Sequence, residues 1–170
     1  GDFDLVGTIV GVVEKEKLIS GATIQPGDTL IGLASNGLHT NGYTLARKVL
    51  LEHKNRQLDE YVEDLEMTLG EALLQVHRSY YSLLKPLIDE KRLKGLAHIT
   101  GGGIPGNLKR ILPENVTAKI DCQTWEIPAI FQLIQEDGNI EMAEMFRVFN
   151  MGVGMIAAVS PEDVDAVLTA

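Results

Sequence analysis

The sequence has a single cysteine, Cys122, so no disulfide can close within the chain, and that suits a reducing, cytoplasmic setting. It is also short of cations. Against 24 Asp and Glu stand 15 Lys and Arg, a formal net charge of −9, which argues against general attraction to nucleic acid or to an anionic membrane. No apolar run approaches the roughly 20 residues of a membrane-spanning helix, and no secretory leader is visible. Internal repeats and low-complexity stretches are missing as well. The four histidines do not fall at ligand spacing with cysteine or acids, so no metal site built by this chain is expected. What remains is 170 residues, 45% hydrophobic and 23% charged, enough for one globular domain with a real core.

Three loops rich in glycine and asparagine stand out against that background. The first follows a mostly apolar strand, Asp28 to Ala34, and reads Ser35-Asn36-Gly37-Leu38-His39-Thr40-Asn41-Gly42. The second follows another apolar strand and reads His98-Ile99-Thr100-Gly101-Gly102-Gly103-Ile104-Pro105-Gly106-Asn107. The third, Phe149-Asn150-Met151-Gly152-Val153-Gly154-Met155, opens into the apolar run that ends at Val159. Glycines let a ligand approach the backbone and let N–H groups converge on an anion. Pro105 fits a helix start, and the first turns after it would turn the positive end of the helix dipole toward the loop. Two readings of the triplet stand together: a phosphate cradle, or a tight turn between packed elements.

These strings resemble the phosphoribosylformylglycinamidine cyclo-ligase (aminoimidazole ribonucleotide synthetase) family. Leu33 to Tyr43, Ala97 to Gly103 and Met145 to Met155 match its motifs in order, across essentially the whole chain and on the family's C-terminal domain. Related ATP-using enzymes share the architecture but not the three strings together: formylglycinamidine synthetase, thiamine-phosphate kinase, selenide dikinase and a hydrogenase maturation factor. The resemblance implies a three-layer α/β/α domain, partly ferredoxin-like. It implies ATP-driven ring closure of formylglycinamidine ribonucleotide, with Mg²⁺ held mainly by an N-terminal domain absent here, and a homodimer of the complete enzyme. Residues 1–15 resemble the segment closing that first domain, and 16–170 the C-terminal domain proper. The start at Gly1 without methionine and the early stop after Leu168 point the same way, to a fragment inactive alone.

Interleaved elements give an α/β class on their own account. Strands are expected at Leu5–Val13, Asp28–Ala34, Gly95–Thr100, Val116–Asp121 and Gly154–Val159. Helices are expected at Tyr43–His53, Leu69–Glu90 (bent at Pro86), Pro105–Leu112, Pro128–Glu136, Glu141–Phe146 and Pro161–Leu168. Ser160, Pro161 and the acids after them are a helix-start pattern, and Ile127, Ile130, Phe131 and Ile134 form one apolar face. The acidic run Asp59 to Glu66 reads as a solvated connection, and Cys122 as a half-buried bystander.

His39 is the titratable side chain of the first loop; an ordinary imidazole titrates near pH 6.5 and exchanges protons at working pH. The resemblance makes it the catalytic candidate, held near the cleft without burial, with Ser35, Asn36, Thr40 and Asn41 as positioning groups. Asn41 fits equally as the cap of the helix at Tyr43. The same resemblance adds His98, Thr100, Gly101, Gly102, Gly103, Asn107, Asn150 and Gly152 as groups around substrate or phosphate. Arg110 and Arg147 suit phosphate, or pair with the chain's many acids. His53 and His77 read as surface or packing residues on helices. Arg78 and Tyr80 match the family pattern, but Val76, His77 and Tyr81 depart from its usual Pro-Thr and aliphatic residues, and Gly106 stands where an acid is common.

Overall fold

The computed structural model describes residues 7–170. Helices are mixed with antiparallel sheets. The central sheet holds β1 (Thr29–Ala34), β4 (Gly95–His98) and β5 (Val153–Val159) in the order β1-β5-β4, both pairings antiparallel. Because β1 and β4 both run against β5, the ends of β1 and β4 and the start of β5 lie at one edge of the sheet. All three glycine-rich loops therefore emerge together. The register slips between Leu33 and Ala34, where Ala34 faces Val153 and Gly154 becomes the extra residue of a bulge.

One sheet face carries Leu33, Ala157 and Val159 against α3 (Tyr81–Asp89) and α7 (Val164–Leu168), through Leu84, Leu87 and Val167. The other carries Ala97, Val153 and Ile156 against Ile104 and Leu108 of α4 (Gly103–Leu108). A third cluster joins α1 (Tyr43–Arg47) and the π-helical turns Lys48–His53 to α2 (Leu69–Leu73), α5 (Ala129–Gly138) and α6 (Met142–Val148). Its centre is Phe131 on Phe149, with ring centroids 5.7 Å apart. Burying such a side chain is worth about 1.5–3 kcal/mol. Two ion-pair sets pin the periphery. Arg56 bonds Asp137 at 2.5 Å and Glu60 at 2.6 Å, and Lys94 holds the buried Asp28 carboxylate at 2.6 Å.

Several expectations need correction. Leu5 and Val6 lie outside the described residues, and Gly7–Val13 make no ladder, leaving Ile9, Val10 and Val12 exposed. Val116–Asp121 is not a strand either; Ala118 and Ile120 pack on the core without backbone partners in the sheet. The helix expected over Leu69–Glu90 is two. A capping box from Thr68 and Glu71 starts α2, which stops at Leu73, and α3 then runs through Pro86 to Asp89. The break has a tertiary cause. Val76 C=O accepts Asn36 Nδ2 at 2.7 Å, and Arg78 Nη1 and the Tyr80 hydroxyl both donate to Ala34 C=O at the bulge.

The acidic run is not wholly a solvated connection. It contains β2 (Tyr61–Val62), paired antiparallel with β3 (Met67–Thr68), and Val62 is buried. Cys122 is exposed rather than half-buried. Helix α4 begins at Gly103, so Pro105 is its third residue. Ser160 precedes a 3₁₀ turn, Pro161–Asp163, without capping it through its side chain.

Candidate functional site

The three loops are bonded into one structure. Asn150, buried in the third, accepts the Ser35 hydroxyl at 2.7 Å and Gly152 N–H at 2.9 Å, and donates to Gly37 C=O at 2.9 Å. Ser35 N–H also donates to Gly152 C=O. Asn107, equally buried, donates from Nδ2 to the carbonyls of Thr100, Gly101 and Gly103, and its Oδ1 accepts the Thr100 hydroxyl at 3.0 Å. Asn41 does not cap α1, whose N-cap is Gly42. Its Oδ1 instead accepts Gly101 N–H at 3.1 Å, joining first loop to second.

The glycine triplet divides by role. Gly101 N–H goes to Asn41 and Gly103 N–H to Thr100 C=O, so neither is free for an anion. A Cβ on Gly103 would run into the Phe146 carbonyl, which makes that glycine a packing requirement between α4 and α6. Gly102 is exposed, sits at φ +98°, and donates to no protein acceptor among the described residues. The cradle expected over three N–H groups narrows to one.

His39 differs most from expectation. It is only 4% exposed, at φ +58°, beneath His77. Its Nε2 meets Asn36 twice, at 2.9 Å from Oδ1 and 3.3 Å from the backbone N–H, and its Nδ1 is buried without a partner among the described residues. Burial first, then the neighbouring His77, His98 and Arg78, lower its pKa to about 4. At neutral pH the ring is therefore uncharged, with one nitrogen engaged and the other enclosed.

His77, read as a surface or packing residue on a helix, lies in the α2–α3 connection and stacks on His39, with centroids 3.9 Å apart and 21° between planes. Its Nε2 is 3.4 Å from Nε2 of His98, which is exposed at the end of β4. His77 is thus a packing residue, but on a connection rather than on the single helix expected over Leu69–Glu90. Arg147 is not brought to this edge as a free cation. It makes a bidentate ion pair with Glu144 on the exposed side of α6. Thr40, His98, Gly101 and Gly102 make the solvent-facing surface, with Asn36, Asn41 and His77 half-buried behind them.

A cavity of about 750 Å³ lies under these loops, between Leu30, Gly32 and Ile156 of the sheet and the segment from Val116 to Trp125. It meets the loops at Ser35, Ile104, Gly152 and Val153, and no histidine lines it. Among the described residues no cluster of three or more His, Cys, Asp or Glu could hold a metal ion, and no helix is long and apolar enough to cross a membrane.

Comparison with known proteins bears on this geometry. The family model described as "AIR synthase related protein, C-terminal domain" matches residues 25–170. The phosphoribosylformylglycinamidine cyclo-ligase of Thermoanaerobacter sp. (strain X514) is 49% identical over 168 residues, 99% of this chain and 50% of its own. Enzymes of the same name from Carboxydothermus hydrogenoformans and Geobacillus kaustophilus are 54% identical over 159 residues and 50% identical over 161. They are covered over 46% of their length, by 94% and 95% of this chain respectively. The chain spans about half the length of the curated relatives it matches.

Proposed function

The chain belongs to the AIR synthase related family, matching its C-terminal domain, and on that premise we propose that it forms the C-terminal half of a phosphoribosylformylglycinamidine cyclo-ligase. The observation that carries the proposal is the convergence of three loops at one sheet edge, cross-bonded through Asn41, Asn107 and Asn150.

ATP, as co-substrate, supplies a phosphoryl group to the formyl oxygen of formylglycinamidine ribonucleotide, so that a ring-closing attack by an internal nitrogen releases phosphate. What this demands of the protein is position and charge complementarity more than a nucleophile. Thr40, His98 and Gly102 N–H face the ligand in this reading. Ser35, Asn36, Asn41, Thr100, Gly101, Gly103, Asn107, Asn150 and Gly152 hold them there, and buried, neutral His39 backs the site. Arg147 is paired with Glu144 on α6. Mg²⁺ finds no cluster of three or more His, Cys, Asp or Glu among the described residues. An N-terminal half supplying the nucleotide side, a homodimer and a cytoplasmic location complete the proposal.

Amide chemical shifts of this chain titrated with formylglycinamidine ribonucleotide and, separately, with ATP test the site. Shifts centred on Thr40, His98 and Gly101–Gly102 are expected, with no product from this chain alone. ADP formation dependent on that ribonucleotide is expected of the longer protein. Shifts confined elsewhere, or absence of that turnover in the longer protein, would overturn the proposal.

A further inference from the structure

His77 belongs to none of the three loop motifs, yet it touches two of the loops. Its ring covers buried His39; its Nδ1 is 3.5 Å from the Thr40 hydroxyl oxygen; its Nε2 is 3.4 Å from His98 Nε2. Two facing imidazole nitrogens can share one proton. Two N–H groups would abut, and two lone pairs would repel. The tautomers are therefore linked. When His77 donates through Nε2, its Nδ1 accepts the Thr40 O–H; when His98 donates, His77 Nδ1–H points to the Thr40 oxygen.

We infer that His77 is a positioning residue: it fixes which nitrogen of His98 carries the proton, and it seals His39 from solvent. The groups facing it are His39 and Thr40 from the first loop and His98 from β4, with the Arg78 guanidinium next in its own segment and Tyr80 beyond His39. None is an acid, so among the described residues nothing beside the ring balances a positive charge. Desolvation first and then His98 hold His77 below the ordinary histidine range, in keeping with a pair that works with one shared proton.

The inference rests on the proposed function only for its effect on turnover. The test therefore has two arms, applied to His77→Phe, which keeps a stacking ring without nitrogens, and His77→Gln, which keeps a hydrogen-bonding amide without the ring. In this chain, long-range ¹H–¹⁵N imidazole spectra report the tautomers of His39 and His98 against pH. One tautomer of His98 is expected in the parent chain. His77→Phe should give a mixture, and His77→Gln should retain part of the preference. In the longer protein, His77→Phe should lower kcat by roughly tenfold, below the 10²–10⁴ of a positioned acid or base, and move the pH profile. An unchanged His98 tautomer in folded His77→Phe overturns the inference. Loss of fold in both variants also overturns it, making His77 a core residue. Altered tautomers in a parent protein without cyclo-ligase turnover would sink the function and leave His77 its role.

Discussion

Gly154 gives up its side-chain space to His39: a Cβ there would collide with the Tyr80 hydroxyl and lie 2.6 Å from His39 Cε1 and 3.1 Å from its Nδ1. The bulge at this residue, the buried imidazole and the anchoring of Tyr80 on Ala34 are parts of one arrangement. Without a side chain on β5 at this point, the first loop can lie directly on the sheet.

Gly154→Ala should destabilise the chain by about 1–3 kcal/mol, the usual cost of forcing a methylene into a packed site. For a chain of this size each kcal/mol lowers Tm by about 2–4 °C, so thermal unfolding reads the effect directly. Gly154→Ala,Tyr80→Phe, which removes the hydroxyl in the way, should recover part of the loss. Wild-type Tm in Gly154→Ala would mean that the loop lifts off the sheet at no cost.

Buried His39 makes stability depend on acid in a defined direction. Its pKa is about 4 when folded and near 6.5 when free, so between these values the unfolded chain binds a proton that the folded chain does not. Its contribution is complete above pH 6.5 and is lost as pH falls toward 4, up to about 3 kcal/mol in all, with about 2 kcal/mol gone by pH 5. His39→Asn, which tolerates the positive φ, removes this dependence. Urea unfolding at pH 7 and pH 5 should show the parent chain losing about 2 kcal/mol more than His39→Asn. Equal losses would show that the imidazole is protonated as easily in the fold as outside it.

Asn150 is the clamp that ties the first loop to the third, and removing it should cost more than removing any exposed loop residue. Asn150→Ala leaves Ser35 Oγ, Gly152 N–H and Gly37 C=O without their side-chain partner in a buried place. A buried polar group left unmet costs about 1–3 kcal/mol, so a loss of about 3 kcal/mol in urea unfolding is expected. Asn150→Asp keeps the acceptor and loses the donor, and should fall between. Hydrogen exchange at Ser35 and Gly152 should quicken in both; protection equal to the parent chain would show that the loops are held by something else.

The parts legible in the sequence are those written in local chemistry. Apolar runs ending in glycine and asparagine gave β1, β4, β5 and the loops between them, and the 3.6-residue spacing of Ile127, Ile130, Phe131 and Ile134 gave α5. What stayed hidden depends on partners far along the chain. Nothing in Leu74 to Tyr80 breaks a helix; the break comes from Asn36 and Ala34, about 40 residues away, bonding Val76, Arg78 and Tyr80. Val116–Asp121 has the apolar content of a strand but no ladder partner among the described residues, and pattern alone does not supply one. Burial of His39 depends on Gly154, and the pairing of Arg147 depends on Glu144 one turn before it. The histidine cluster is a product of tertiary contacts that no single motif encodes.

Gly102 and Gly103 answer to different constraints, the first exposed and the second buried. Gly103→Ala should disrupt packing, because its Cβ meets the Phe146 carbonyl, and lost fold is the expected readout. Gly102 is different. A Cβ there finds Gly106 Cα at 3.6 Å and Asn107 Nδ2 at 3.9 Å, which is ordinary contact, but φ +98° is a conformation that a β-branched residue resists. Gly102→Val should therefore re-aim the one N–H of the triplet without an acceptor among the described residues, at about 1–3 kcal/mol of backbone strain. In the longer protein the Kd for ATP or for the ribonucleotide should rise about tenfold or more, since each factor of ten is about 1.4 kcal/mol. Gly102→Ala should show a smaller rise in the same direction. If calorimetric isotherms for both ligands are the same in Gly102→Val and the parent protein, the loop is a turn between β4 and α4 and holds no phosphate.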